Sequence, residues 1–242
     1  MTDFGGRSIL VTGAAGGIGS AIVRQLVAAN ADVVASNRDA ASLAGIVAET
    51  GCRIAPFDLT SEEEIAAALG ELDLWGVVNC GGFGGEIASP MDTDIDVFDR
   101  VMAVNARGTL LVTKYAARTM IRLGVGGAIV NVSSQASLVA LQNHVSYGSS
   151  KAAVDNITRV SALELGKYNI RVNSVHPSVV MTEMSEFYWG RPEIGGPFLE
   201  QMPLGRWVTQ DEVAAPVVFL LSDGASMITG AHLPIDGGYT CR

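Results

Sequence analysis

Tyr147 and Lys151 stand four residues apart in Tyr147-Gly148-Ser149-Ser150-Lys151, and Ser134 lies thirteen positions upstream of the tyrosine. On a helix, positions i and i+4 share a face, which would set the lysine ammonium beside the phenol. A free phenol, with a reference pKa of about 10, is a sluggish acid-base group at neutral pH. One positive charge about 4 Å away, at an effective dielectric near 20, favours a phenolate by roughly 4 kcal/mol before desolvation takes some back. The spacing therefore describes a proton donor with a built-in tuner. A lone Tyr-x-x-x-Lys is weak evidence, because the same pair also decorates surface helices.

The N-terminal segment supplies the context. Arg7-Ser8-Ile9-Leu10-Val11 reads as a short buried strand, followed by Thr12-Gly13-Ala14-Ala15-Gly16-Gly17-Ile18-Gly19 and an apolar-periodic helix through about Ala29. This is the strand, glycine turn and helix of a dinucleotide site. Gly13 permits the tight turn, Gly16 and Gly17 let backbone approach a pyrophosphate, and Gly19 allows close packing of helix on strand. The N–H groups of the first helical turn, around Ile18, then face the phosphates. The second strand ends in Ser36-Asn37-Arg38. An acidic residue there would bind the adenosine ribose hydroxyls and repel a 2′-phosphate, whereas Asn37 does not repel it and Arg38 can pair with it. The expected cofactor is NADP(H), with NAD(H) possible.

These groups need a scaffold. Candidate strands fall near 7–11, 32–36, 52–56, 75–79, 127–133, 170–175 and 232–235, and candidate helices near 17–29, 39–49, 61–69, 94–123, 146–166 and 210–221. Alternating strands and helices without a long polar linker predict one α/β domain over 1–242, with a Rossmann-type, doubly wound parallel sheet of about seven strands and helices on both faces. Its dinucleotide-binding half is expected over about 1–133, and its catalytic and substrate half over about 134–242.

A net charge of −9 and a pI near 4.8 leave no basic stripe for nucleic acid. No apolar run approaches the roughly 18 residues of a membrane span, and no signal-like core follows Met1. Cys52, Cys80 and Cys241 form neither a metal spacing nor an even framework, so no metal is expected. A soluble, cytoplasmic chain is the expectation.

Thr12-Gly-x-x-x-Gly-x-Gly19, Asn79-Cys80-Gly81-Gly82, Asn105, Ser134, Tyr147-x-x-x-Lys151, Pro177-Ser178-Val179-Val180-Met181-Thr182 and Asp236-Gly237-Gly238 resemble, in order and spacing, the short-chain dehydrogenase/reductases. The likeness covers essentially the whole chain. Within that family it is similar to L-xylulose (dicarbonyl) reductases and related carbonyl reductases, through Val132-Ser133-Ser134-Gln135, Asn143-His144, Val179-Val180-Met181-Thr182, Ala162-Leu163-Glu164-Leu165-Gly166 and Phe219-Leu220-Leu221-Ser222-Asp223.

What the resemblance implies is hydride transfer between a nicotinamide and a carbonyl or alcohol carbon. Tyr147 would be the proton donor, and Ser134 would hold the reacting oxygen, preferred over Ser133 by family spacing alone. Lys151 would also bind the nicotinamide ribose, and Asn105 would hold a water that connects Lys151 to solvent. Asp58 and Leu59 would border the adenine. Asn79, Gly81, Pro177, Val180 and Thr182 would complete the cofactor site, with Thr182 on the carboxamide. This chain departs from its relatives in Gly16, where a second basic residue is frequent, in Cys80, and in Ser178.

Substrate recognition is expected from Ser134, Gln135, Asn143, His144, Tyr147 and the aromatic segment 183–190 with Trp189, read as a mobile lid flanked by Pro192, Gly195, Gly196 and Pro197, or alternatively as a subunit contact. Small neutral ketones, ketoses or their alcohols are expected, since no arginine or lysine falls within 135–147 to hold an anion. A 3-oxoacyl-thioester reductase and a non-catalytic NADP-binding sensor are the alternatives. A serine hydrolase lacks its Gly-x-Ser-x-Gly elbow. The family likeness implies a homotetramer, and Ala152, Ala153, Val154, Ile157, Val160 and Leu163 give their helix more apolar surface than one sheet face needs.

Overall fold

The computed structural model describes residues 2–241. Seven strands, β1 (Ser8–Thr12), β2 (Asp32–Ser36), β3 (Arg53–Ile54), β4 (Gly76–Asn79), β5 (Gly127–Val132), β6 (Ile170–Pro177) and β7 (His232–Ile235), pair in parallel in the order β3-β2-β1-β4-β5-β6-β7. The central strands are apolar almost throughout because both of their faces are covered. Alternate residues feed two cores. Ile9, Val11, Val33, Ala35, Val78 and Val130 pack with residues of α1 (Gly17–Ala28), α2 (Ala44–Thr50) and α9 (Gln210–Leu221). Leu10, Val34, Val77, Ile129 and Val172 pack with α3 (Glu62–Gly70), α5 (Gly108–Leu123) and α6 (Val145–Leu165) on the other face.

Chain order reverses between β1 and β4, which opens the crevice at the carboxyl ends of the strands where ligands bind in such sheets. Every expected strand is present, with β3 cut to two residues. Three helical expectations change. The helix expected over 39–49 opens as a 3-10 turn over Ala40–Leu43 and is α2 only from Ala44. The helix expected over 94–123 is α4 (Ile95–Met102) and α5, joined by a π turn at Ala103–Arg107. The segment read as a lid is α7 (Glu183–Trp189) followed by α8 (Pro192–Glu200); the side chains of Glu183 and Met184 lie outside the described set. No described helix is long and apolar enough to cross a membrane.

The start of α9 carries a reciprocal cap. Thr209 Oγ1 accepts from the Glu212 N–H at 3.3 Å, and Glu212 Oε2 accepts from the Thr209 N–H at 2.9 Å and from Arg206 at 2.8 Å. The hydrogen bond from Arg206, then that from the Thr209 backbone, bring the Glu212 carboxyl down to about 2 from 4.5. Because the folded value is the lower one, this contribution is present above pH 4.5 and is lost as pH falls toward 2. Glu212→Ala is expected to lower the melting temperature by a few degrees at pH 7. The gap between variant and parent should close in scans run at successively lower pH, and a gap independent of pH would contradict the assignment.

Candidate active site

The cradle forms where β1 and β4 end. Thr12 Oγ1 accepts from the N–H groups of Cys80 and Gly81, each at 3.1 Å, and so ties the two strand ends together. Gly13 takes φ +67°, and a Cβ there would lie 2.6 Å from Gly81 Cα; a Cβ on Gly19 would lie 2.1 Å from the Gly13 carbonyl oxygen. Neither position admits a side chain. Gly16 begins α1 without a side-chain cap, which leaves amide donors for an anion. Thr182 and Gln210 lie over Gly17, where an added Cβ would meet Thr182 Cγ2 at 2.9 Å and Gln210 Nε2 at 2.5 Å. Ile18, in the first turn of α1, is half-buried beside them.

Beyond β2, Arg38 is exposed and makes no hydrogen bond or ion pair among the described residues. Asn37 Nδ2 donates to Ser42 Oγ at 2.6 Å. Ser36 Oγ is buried without a partner in the described set. Asp58 accepts from the Thr60 N–H and hydroxyl, each at 2.7 Å. The backbone bond from Thr60 holds its carboxyl below the ordinary range, helped by the charges of Arg38 and Arg100. Leu59 Cδ1 lies 2.7 Å from where a Gly81 Cβ would sit. A glycine cradle open to backbone approach, an uncapped helix start and an unpaired guanidinium fit a phosphate-bearing dinucleotide.

Asn79 is placed differently from its expected partners. Its amide donates to Asn131 Oδ1 at 2.8 Å and Thr113 Oγ1 at 3.3 Å, and Asn131 donates on to Thr158 Oγ1 at 2.8 Å. Its side chain knits the sheet to α5, with Oδ1 buried and unpartnered in the described set. Cys80 keeps its proton, because burial pushes the thiol up to about 12.

Tyr147, Lys151, Asn105 and the serine pair meet at the start of α6. Lys151 Nζ lies 5.6 Å from the Tyr147 ring centroid and donates to the Val132 carbonyl at 2.9 Å. Asn105, in the π turn, donates to Phe83 O and Ser150 Oγ, both at 2.9 Å, and accepts from Phe83 N at 2.7 Å. A Cβ on Gly82 would fall 3.3 Å from Asn105 Oδ1 and 3.7 Å from Lys151 Nζ, so these groups are neighbours. The Asn105 side chain is thus committed to pinning the loop after β4. Ser133 donates to the Lys151 carbonyl at 3.2 Å. Ser134 Oγ accepts from the Ala136 N–H at 3.1 Å, and its own proton has no acceptor in the described set. Hydrogen-bond commitments therefore separate two serines that side-chain chemistry could not.

On the substrate side, Gln135 is buried with both amide atoms unpartnered among the described residues, a state that costs free energy until something satisfies it. Asn143 adopts φ +64°, and its carbonyl accepts from Ala88 N at 3.0 Å. His144 Nδ1 is 2.7 Å from the Gln142 carbonyl, which can only accept, so Nδ1 carries a proton and the neutral ring would offer Nε2 as an acceptor. Trp189 stacks on His144 at 5.6 Å and Tyr188 meets it edge-on at 5.8 Å. Trp189 packs in turn on Phe198 at 4.6 Å. Arg191 lies over the Tyr188 ring at 4.9 Å, and Arg206 is paired with Glu212. Pro177 ends β6, Val180 bridges to Val208, and Thr182 and Ser185 form the capping box that starts α7. Reading the chain gave no role to Ser150, Gln210 or the Thr12 hydroxyl; Thr12 alone had a signal, its place in the glycine motif.

A family model described as enoyl-(acyl carrier protein) reductase matches residues 13–240. L-xylulose reductase of Caenorhabditis elegans is 43% identical over 98% of this chain and 97% of its own. D-erythrulose reductase of Gallus gallus is 40% identical over 98% and 97%. The solved structure of a short-chain type dehydrogenase/reductase from Mycobacterium ulcerans superposes with a TM-score of 0.95 at 36% identity, over 99% of this chain and 92% of that one. With the likeness running the full length and the sheet order and glycine cradle in place, the chain belongs to the short-chain dehydrogenase/reductase family, oxidoreductases that bind a nicotinamide cofactor.

Proposed function

We propose that the chain interconverts a small, neutral carbonyl compound and its alcohol, ketose and polyol or dicarbonyl and hydroxyketone, with NADP(H) as preferred cofactor. One observation carries the substrate class: Gln135, in the turn packed on α6, has an amide unpartnered among the described residues, and His144, at the start of α6 three residues before Tyr147, keeps Nε2 free of the Gln142 carbonyl, while Arg191 and Arg206 are engaged elsewhere. Such a lining satisfies hydroxyls and offers no cation to an anionic substrate. The L-xylulose and D-erythrulose reductases among its relatives agree with it.

The cofactor, when bound, supplies or accepts the hydride. Gly13, Gly17, Ile18, Gly19 and Gly81 would form its cradle, Asp58 and Leu59 would border the adenine, Pro177, Val180 and Thr182 would flank the nicotinamide, and Asn79 would support the floor. The free proton of Ser134 holds the substrate oxygen, and Tyr147 gives that oxygen a proton in reduction or removes one in oxidation. Lys151 stands beside the Tyr147 ring and would reach the ribose hydroxyls. Asn105 keeps the loop after β4 against Lys151 and positions a water leading to solvent. Trp189 covers His144 and limits water at the reacting carbon.

Leu110, Ile121 and Val160 line a groove between α5 and α6, and Leu163, also on α6, is 83% exposed. We read this face as a subunit interface of a homotetramer, which a monomeric mass in solution would contradict. Val154, expected on that face, instead packs inward. Three unpaired cysteines suit a reducing, cytoplasmic setting. NADPH oxidation and NADP reduction across ketoses, polyols, diketones, keto acids, sugar phosphates and acyl thioesters should give the highest kcat/KM with neutral ketones or polyols. A preference for carrier-bound acyl thioesters or phosphorylated sugars would overturn the substrate reading.

A further inference from the structure

Behind the site, three residues far apart in sequence converge. Asp155 lies one turn past Lys151 on α6, His176 lies near the end of β6, and His232 opens β7. His176 and Asp155 are buried. His176 Nε2 is 3.2 Å from His232 Nδ1 and 3.4 Å from Asp155 Oδ1. Ser174 Oγ stands 2.8 Å from the first of these nitrogens and 2.6 Å from the second. Asp155 Oδ1 has no hydrogen-bond partner among the described residues.

The outer nitrogen of His176 fixes which lone pair faces the cluster. Nδ1 is 3.2 Å from the Ser134 carbonyl and 3.1 Å from Ser137 Oγ. A carbonyl only accepts, so Nδ1–H donates outward and Nε2 presents its lone pair inward. This is the orienting bond that metal-bound imidazoles use. Zinc bonds of about 2.0–2.2 Å to nitrogen and oxygen set tetrahedral ligands about 3.3–3.5 Å apart. The 3.4 Å separation falls at that spacing and the 3.2 Å one just below it, and all three atoms lie within 4.8 Å of one another.

We propose that Asp155 Oδ1, His176 Nε2 and His232 Nδ1 form a site for a divalent transition metal of the zinc class, with a water as fourth ligand. Two neutral imidazoles and one carboxylate carry a net charge of −1, so a dication would give a counter-charge to the Asp155 carboxylate, whose Oδ1 otherwise lacks a hydrogen-bond partner among the described residues. The role is structural: the ion clamps α6, β6 and β7 together, and through His176 it holds the Ser134 carbonyl. Arg159 guards the outer side, its Nη1 3.1 Å from His232 Nε2. Metal on Nδ1 places a proton on Nε2, so Arg159 must turn away, toward Asn156 Oδ1, already 3.5 Å from its other nitrogen. Without metal, the same groups close as a hydrogen-bonded chain from Arg159 through His232 and Ser174 to His176.

Chelator-treated full-length protein titrated with Co²⁺ tests this. Expected are one equivalent bound per chain, the visible absorption of four-coordinate cobalt without a thiolate charge-transfer band, displacement by Zn²⁺, and a higher melting temperature with Zn²⁺. His232→Ala and Asp155→Asn should each weaken binding at least about tenfold, whereas Arg159→Ala should leave it equal or tighter. Circular dichroism checks that the variants fold, and the titration of the unaltered protein is decisive by itself. No binding, a thiolate band, or binding indifferent to both ligand variants would overturn the proposal and leave the hydrogen-bonded chain as the resting arrangement.

Discussion

Tyr147→Phe is expected to lower turnover by about 10²–10⁴-fold, the usual worth of a positioned general acid, while leaving dinucleotide affinity nearly unchanged. The phenol oxygen makes no hydrogen bond to any described residue, so its removal orphans nothing in the scaffold, and the ring keeps its place 5.6 Å from Lys151 Nζ. Lys151→Ala should behave otherwise. It deletes the ammonium beside the Tyr147 ring and also the donor to Val132 O, so both kcat and cofactor affinity should fall. Steady-state kinetics paired with fluorescence titration of NADPH separates the two. Near-normal turnover in the Tyr147→Phe protein would mean that the proton comes from another group.

Arg38→Ala should raise the KM for NADP(H) by about 10–100-fold, the loss of a hydrogen bond to a charged group worth about 1.5–3 kcal/mol. NAD(H), which carries no 2′-phosphate, should be affected little. Adding Asn37→Asp supplies a carboxylate for the ribose hydroxyls and a repulsive charge for the phosphate, so the double variant should favour NAD(H). The starting point makes the experiment clean: Arg38 has no ion pair to break among the described residues, and Asn37 gives up only a bond to Ser42. Comparison of kcat/KM for both cofactors decides it, and a parent enzyme that already prefers NAD(H) would refute the reading.

The sheet was legible because its strands are short apolar runs bounded by glycine and polar turns, and because helical periods separate them. The meeting of Tyr147 and Lys151 was legible for a related reason, since four residues on a helix fix a face. The π turn was not legible: it shifts a hydrogen-bond pattern within an unbroken helical sequence and leaves no compositional mark. Nor was helix α8, whose Pro192, Gly195, Gly196 and Pro197 argued for a loop. Pro192 occupies the helix start, where a missing N–H costs nothing. Ser134 was preferred over Ser133 by family spacing alone, and the hydrogen bonds around the two, which leave only the Ser134 proton without an acceptor among the described residues, had no mark in the sequence. Asp155, His176 and His232 could meet only through the topology, being separated by tens of residues with no motif between them.

The side-chain tie between Asn79 and Asn131 bears on how the chain finds this arrangement at all. The two asparagines are register partners at the ends of β4 and β5, strands otherwise built of interchangeable valine, isoleucine, alanine and glycine. If β5 slid two residues along β4, the aliphatic faces would still match and hydrophobic burial would hardly object. The amides of Asn79 and Asn131 would then be stranded, at about 1–3 kcal/mol for each buried group left unsatisfied. The pair thus proofreads the alignment, and the loop at Gly81 and the serines at 133 and 134, which follow directly from these strand ends, inherit their positions from it.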